Sequence, residues 1–179
     1  NMPSITAEDA PKLKPYMTLV EQMGKLAGQI NQHAITGIEI VYQGHAAALN
    51  VKPLTAVALA SVLGANMEGV NMVSAPVIAK TRGIGITESR SDQAGELTTA
   101  VTLRIRHEKG ALDVTGTLFG GGQPRIVALD RVPIEAALTP HMLLVRNRDK
   151  PGLIGGLGTV LADAGIQPRP VHRIGVLGA

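Results

Sequence analysis

Apolar residues return every three or four positions from Tyr16 to Ile30, with Leu19, Met23, Leu26, Ala27 and Ile30 on one stripe. That period predicts an amphipathic helix. Gly24 and Gly28 weaken it but allow close packing against a neighbour. From Gly37 to Tyr42 the period drops to two, and the β-branched content predicts a strand that Gln43-Gly44 ends. Val51 to Gly64 predicts a second helix, with Pro53 acceptable in its first turn. Asn71 to Arg82 predicts a third, with Ser74 as its N-cap, Pro76 just inside and Gly83 closing it. Ile84 to Arg90 reads as a strand and Ser91 to Gly95 as a turn. Leu97 to Arg106 and Leu112 to Phe119 form a predicted hairpin around Glu108-Lys109-Gly110, and Gly120 to Gly122 is a turn. Pro124 to Leu129 and Val132 to Ala136 are further strands joined at Asp130-Arg131. Pro3, Pro11 and Pro15 predict an extended lead-in over residues 1–15.

Thr139-Pro140 marks a boundary. Beyond it, His141 to Val145 reads as a short strand. Pro151 to Ala164 reads as a helix with Leu153, Leu157, Val160 and Leu161 on one face and Gly165 as its cap. Ile166 to Ile174 reads as an extended segment interrupted by Pro168 and Pro170. The expected organisation is therefore an α+β domain over residues 16–139, followed by a β-α-β piece over residues 140–179.

Composition narrows the function. Hydrophobic residues make up 45% and charged residues 17% of 179 residues, a globular balance. Aromatics are 2%, so the core is aliphatic and single-stranded nucleic acid lacks stacking platforms. The net charge of +3 is spread without any basic run, which argues against a nucleic-acid partner. There is no cysteine, which excludes disulfides and thiolate chemistry. His33, His45, His107, His141 and His172 stand singly, without metal-site spacing. No apolar run has the roughly 20 residues of a membrane span, and no signal peptide is visible, so a cytoplasmic location is expected. No Gly-x-Gly-x-x-Gly strand-turn-helix unit marks a dinucleotide site, and no His has an acidic partner in a catalytic setting. Neither catalytic residues nor a cofactor are expected in this segment.

The run Asn147-Arg148-Asp149-Lys150-Pro151-Gly152 carries the most chemistry. It leads into a helix N-terminus, where free backbone N–H groups favour a carboxylate or phosphate. Asp149 can cap that helix or accept hydrogen bonds from a ligand ammonium. Gln167 follows the helix, where a β-α-β unit starts its second strand, and is read as returning towards the same ligand. A carboxylate, an amide and helix-end N–H groups together suit an amino acid.

Strand, Asp-x-Pro-Gly, helix and then Gly165-Ile166-Gln167 resembles the first half of an ACT domain, a ferredoxin-like module that senses amino acids. Leu13-Lys14-Pro15-Tyr16, Val70 to Pro76, Ala79 to Ile84 and Gly116 to Gly120 resemble the C-terminal half of bacterial D-3-phosphoglycerate dehydrogenase. In its long form an intervening, allosteric substrate-binding domain precedes the ACT domain. The resemblance implies a regulatory fragment of an NAD-dependent enzyme that oxidises 3-phosphoglycerate on the way to L-serine. It implies catalytic and NAD-binding domains elsewhere in the parent, a homo-oligomer, and L-serine bound between paired ACT domains. Asn147, Asp149 and Gln167 fall on the implied effector contacts, with Gln167 in place of the usual Asn. Arg125 falls on an implied anion contact of the intervening domain, and Ala137 replaces a second basic residue. The ACT piece is expected to be about half a module.

Plainer readings stand beside these. Asp149 by itself reads as a helix cap, Gln167 as a solvated turn residue and Arg125 as a surface strand residue. Arg104 and Arg106 share one strand face and read as a solvated face before they read as a patch. The rival functions are the regulatory domain of an L-serine dehydratase and an oligomerisation module without a ligand.

Overall fold

The computed structural model describes residues 8–120, 122–145 and 151–167. Helix α1 (Ala10–Ile30) opens the described chain, followed by strand β1 (Ile35–Gly44) and a 3-10 turn (His45–Ala48). Helices α2 (Lys52–Gly64) and α3 (Ala75–Thr81) then lead to β2 (Gly85–Ser91). Strands β3 (Thr99–His107), β4 (Gly110–Phe119), β5 (Gln123–Leu129) and β6 (Val132–Ala136) form a meander, and α4 (Leu153–Asp163) follows. The six strands make one mixed sheet in the order β2-β1-β3-β4-β5-β6. Only β1 and β2 pair in parallel, across the α2–α3 connection. The fold is α+β.

Register explains the core. Ile38, Ile40 and Tyr42 stand opposite Ile105, Leu103 and Val101, which in turn face Leu112, Val114 and Gly116. Side chains alternate across a strand, so these rows lie on one face of the sheet. Helix α1 covers it with Leu19, Val20 and Met23, and α2 seals its flank with Leu54, Val62 and Leu63. A Cβ on Gly116 would lie 2.8 Å from Leu19 and Met23, so α1 sits directly on β4. The two helices approach closely because a Cβ on Gly28 would lie 2.5 Å from the Val62 carbonyl. The buried tyrosines tie helices to strands: Tyr16 hydrogen-bonds Thr99 at 3.0 Å, and Tyr42 hydrogen-bonds Thr55 at 2.9 Å.

Three local expectations change. Residues 10–15 are helical rather than extended, and Pro15 lies inside α1. Pro11 sits in the first turn, where its missing N–H costs nothing, and burial of Leu13 and Tyr16 offsets the bond lost at Pro15. Ser74 holds the N-cap position of α3, as expected, but its side chain makes no cap hydrogen bond, and Asn71 instead fixes the turn before it. Asn71 Oδ1 accepts the N–H groups of Val73 and Ser74 at 2.9 and 3.0 Å, while Ser74 Oγ accepts the Asn71 N–H at 2.9 Å. This reciprocal pair resembles a capping box; the Asn71 carbonyl accepts the Ala75 N–H, and the Ser74 carbonyl receives the first bond of the helix proper, from Ile78. Residues 141–145 form no strand, since no ladder partner for them exists among the described residues. The extended segment expected from Ile166 to Ile174 lies outside the described residues beyond Gln167.

Candidate functional site

Helix α4 begins at Leu153, with Gly152 at φ +93° in the N-cap position and Gly156 N–H donating to the Gly152 carbonyl at 2.9 Å. The positive φ is one that a side chain at Gly152 would strain. The helix ends in a Schellman motif: Gly165, at φ +68°, donates to Ala162, and Ile166 donates to Leu161. None of its residues is buried, and Ile154 is 86% exposed. No Cβ placed on Gly155, Gly156 or Gly158 would meet anything within 4 Å. The helix is thus formed, while its apolar face is uncovered among the described residues.

Asn147 and Asp149 lie outside the described residues. Gln167 is exposed just beyond the C-terminal end of α4. Eleven helical residues separate that end from Gly152, a span of about 16 Å at 1.5 Å per residue. Gln167 therefore stands at the opposite end of α4 from the helix N-terminus, and α4 itself keeps the two ends of one chain apart.

The helix-free face of the sheet holds the other candidates. Arg104 on β3 forms a bidentate pair with Asp113 on β4, Nε to Oδ1 at 2.7 Å and Nη2 to Oδ2 at 2.8 Å. Arg106 donates to Glu39 Oε2 on β1 at 2.7 Å, and Arg104 Nη1 lies 3.6 Å from the same oxygen. The Asp113 hydrogen bonds, with help from Glu39, raise the pKa of Arg104 beyond its already high value. The two arginines are therefore spent on carboxylates and form no cationic patch.

Arg125 differs. It lies opposite Thr117 on the same face and is half-buried. Its guanidinium donates to the Pro124 carbonyl at 2.9 Å and to Gln123 Oε1 at 3.1 Å, both neutral acceptors. Among the described residues no carboxylate forms a salt bridge with it. Its charge remains available to an anion. Ala137 follows β6 and adds none.

Sequence reasoning missed a shallow, open depression of about 510 Å³ at the C-terminal end of β1, lined by residues that include His45, Asp92, Gln93 and Thr98. At its edge Gly44 turns at φ +59°, where a Cβ would clash with the Thr98 carbonyl. The His45 N–H closes onto the same carbonyl at 3.1 Å. No side-chain hydrogen bond joins His45 to Asp92 among the described residues. A signal existed in the Gly44-His45 break after an alternating run, but nothing local joined it to Asp92. Among the described residues no three His, Asp or Glu side chains gather as a metal site, and no helix is long and apolar enough to cross a membrane.

These features define an α+β domain with one solvent-facing sheet surface, followed by an uncovered amphipathic helix. The sequence pattern of the D-3-phosphoglycerate dehydrogenase intervening domain matches residues 12–130, and the chain belongs to that family. It is 33% identical over 169 residues to a D-3-phosphoglycerate dehydrogenase of Synechocystis, covering 93% of this chain and 30% of that protein. It is 29% identical over 168 residues to the Methanocaldococcus jannaschii enzyme, covering 93% of this chain and 32% of that one. The Bacillus subtilis enzyme is 28% identical over 168 residues with the same coverage. The chain thus spans about a third of the length of these relatives.

Proposed function

We propose that this chain is a regulatory part of a D-3-phosphoglycerate dehydrogenase, with residues 16–139 as its intervening domain and residues 140–179 as the beginning of an ACT domain. The reading rests chiefly on one observation: the intervening-domain pattern matches residues 12–130, and a helix whose apolar face is uncovered among the described residues follows it. The parent oxidises 3-phosphoglycerate with NAD in its other domains and works in the cytoplasm as a homo-oligomer. L-serine is the effector, held by Asn147, Asp149 and Gln167. The length of α4 supports a site shared between copies, because a ligand at one helix N-terminus is out of reach of the same chain's Gln167. Serine then acts by binding one arrangement of subunits better than another, since a ligand shifts an equilibrium only through unequal affinity. Arg125 is the intervening domain's anion contact.

Calorimetric titration of L-serine into the protein tests the effector reading, with D-serine as the control. Saturable heat from L-serine that Asn147→Ala abolishes is the expected result. Absence of both heat and a thermal shift at millimolar L-serine overturns it.

A further inference from the structure

The two edges of the sheet are built differently. At β6 the edge is short, carries Pro133, and its pairing with β5 is interrupted between Ile126 and Ala128. Proline, brevity, irregular pairing and charged side chains are the usual means of blunting an edge. At the other edge, β2 has none of the first three, and its two charges, Glu88 and Arg90, are of opposite sign. It runs seven residues without proline, in unbroken register with β1 from Gly37↔Gly85 to Gln43↔Ser91. Ile86 on β2 is 38% exposed, and on the adjoining α3 Val77 is 65% exposed.

We propose that β2 is a pairing surface for a second copy of this chain, joined antiparallel about a two-fold axis at Ser89. Charge selects this register. Centred on Ser89, Glu88 of each copy stands opposite Arg90 of the other, Thr87 opposite Ser91, and Ile86 opposite Asp92. Centred on Glu88, the two Glu88 side chains collide as like charges, which is destabilising for directly facing residues. Facing residues of an antiparallel pair point to the same side, so the two sheets join into one with all helices on one side. The α3 helices then flank the seam, and Val77 and Ile86 of both copies approach it. This pairing is independent of serine and of the ACT segment.

The chain contains no cysteine, so single thiols report the register cleanly. Facing residues have Cα atoms roughly 4.5–5.5 Å apart, within disulfide range. Oxidation of Ser89→Cys is expected to give a covalent dimer. Thr87→Cys places the two thiols about 14 Å apart along the strands and is expected to give none. Glu88→Arg sets arginine against arginine and should raise the dimer dissociation constant in analytical ultracentrifugation roughly tenfold or more. The double variant Glu88→Arg/Arg90→Glu should restore it. Arg90 also donates to the Ala47 and Leu49 carbonyls, so the fold of the double variant is checked by its circular dichroism melt. A monomer at all concentrations overturns the proposal. So does equal cross-linking at both positions, an unchanged constant in Glu88→Arg, or a folded double variant that fails to recover.

Discussion

The Arg104 guanidinium and the Asp113 carboxylate face each other directly across the β3–β4 ladder and meet in two parallel hydrogen bonds. Asp113 is the pivot of this surface: its side chain is 11% exposed, and its backbone N–H is bound by Asp130 Oδ1 at 3.0 Å. Removing it leaves Arg104 with only its distant contact to Glu39. Asp113→Ala is expected to destabilise the fold by about 1–2 kcal/mol, because charge-assisted bonds are stronger than neutral ones but this pair is partly solvated. Asp113→Ala/Arg104→Met should recover part of the loss. Urea denaturation of the three proteins measures it.

Tyr42 makes the fold sensitive to alkali. Burial pushes its phenol well above the ordinary value, against the Thr55 hydrogen bond, which lowers it. In the unfolded chain the phenol ionises near pH 10. Between that pH and the higher folded value, the native state holds a proton that the unfolded state has released. Stability contributed by Tyr42 is thus intact below about pH 10 and falls as pH rises, by up to about 1.4 kcal/mol per pH unit. Tyr42→Phe should flatten this slope while costing about 1 kcal/mol at neutral pH, where Thr55 loses its partner. Melting temperatures between pH 8 and 11 decide it; equal slopes in both proteins refute it.

The contact of α1 with α2 has no room for a methyl group at Gly28. Gly28→Ala drives a methyl group into the Val62 carbonyl and the Ala65 methyl and is expected to cost about 1–3 kcal/mol, despite alanine's better helix propensity. At Gly64, where a Cβ would meet only Val70 at 3.9 Å, the same change should be neutral or stabilising. Thermal melts of the pair separate packing from propensity.

The β5–β6 turn places two non-glycine residues at positive φ, Asp130 at 47° and Arg131 at 66°. Two-residue hairpin turns of this kind favour Asp-Gly. Arg131 is 85% exposed in its side chain and lies 3.9 Å from Asp113, so little is lost with it. Arg131→Gly should stabilise the protein by about 0.5–1 kcal/mol, seen as a higher urea midpoint at unchanged slope.

Much of the fold was legible along the chain, because a buried face imposes a period. The alternation of Ile38, Ile40 and Tyr42 and the three-four spacing of Leu19, Met23 and Ala27 are such imprints, and both elements formed there. Single punctuation residues worked less well. Pro15 signals a break, yet Leu13 and Tyr16 bury enough surface to carry the helix through it. Ser74 holds the N-cap position of α3 as its sequence suggests, but only the geometry of the turn gave the side-chain bonds to Asn71.

By itself the sequence determined most of the element types, the aliphatic core, the family resemblance and the helix that follows Gly152. The tertiary structure decided which charges remain available. Arg104, Arg106 and Arg125 look alike on paper, but a carboxylate's effect depends on distance. Glu39, 67 residues away from Arg106, comes within 2.7 Å of it, while among the described residues Arg125 meets only neutral oxygens. Strand order likewise left β2 at an edge, and pairing across a sheet has no imprint on local periodicity.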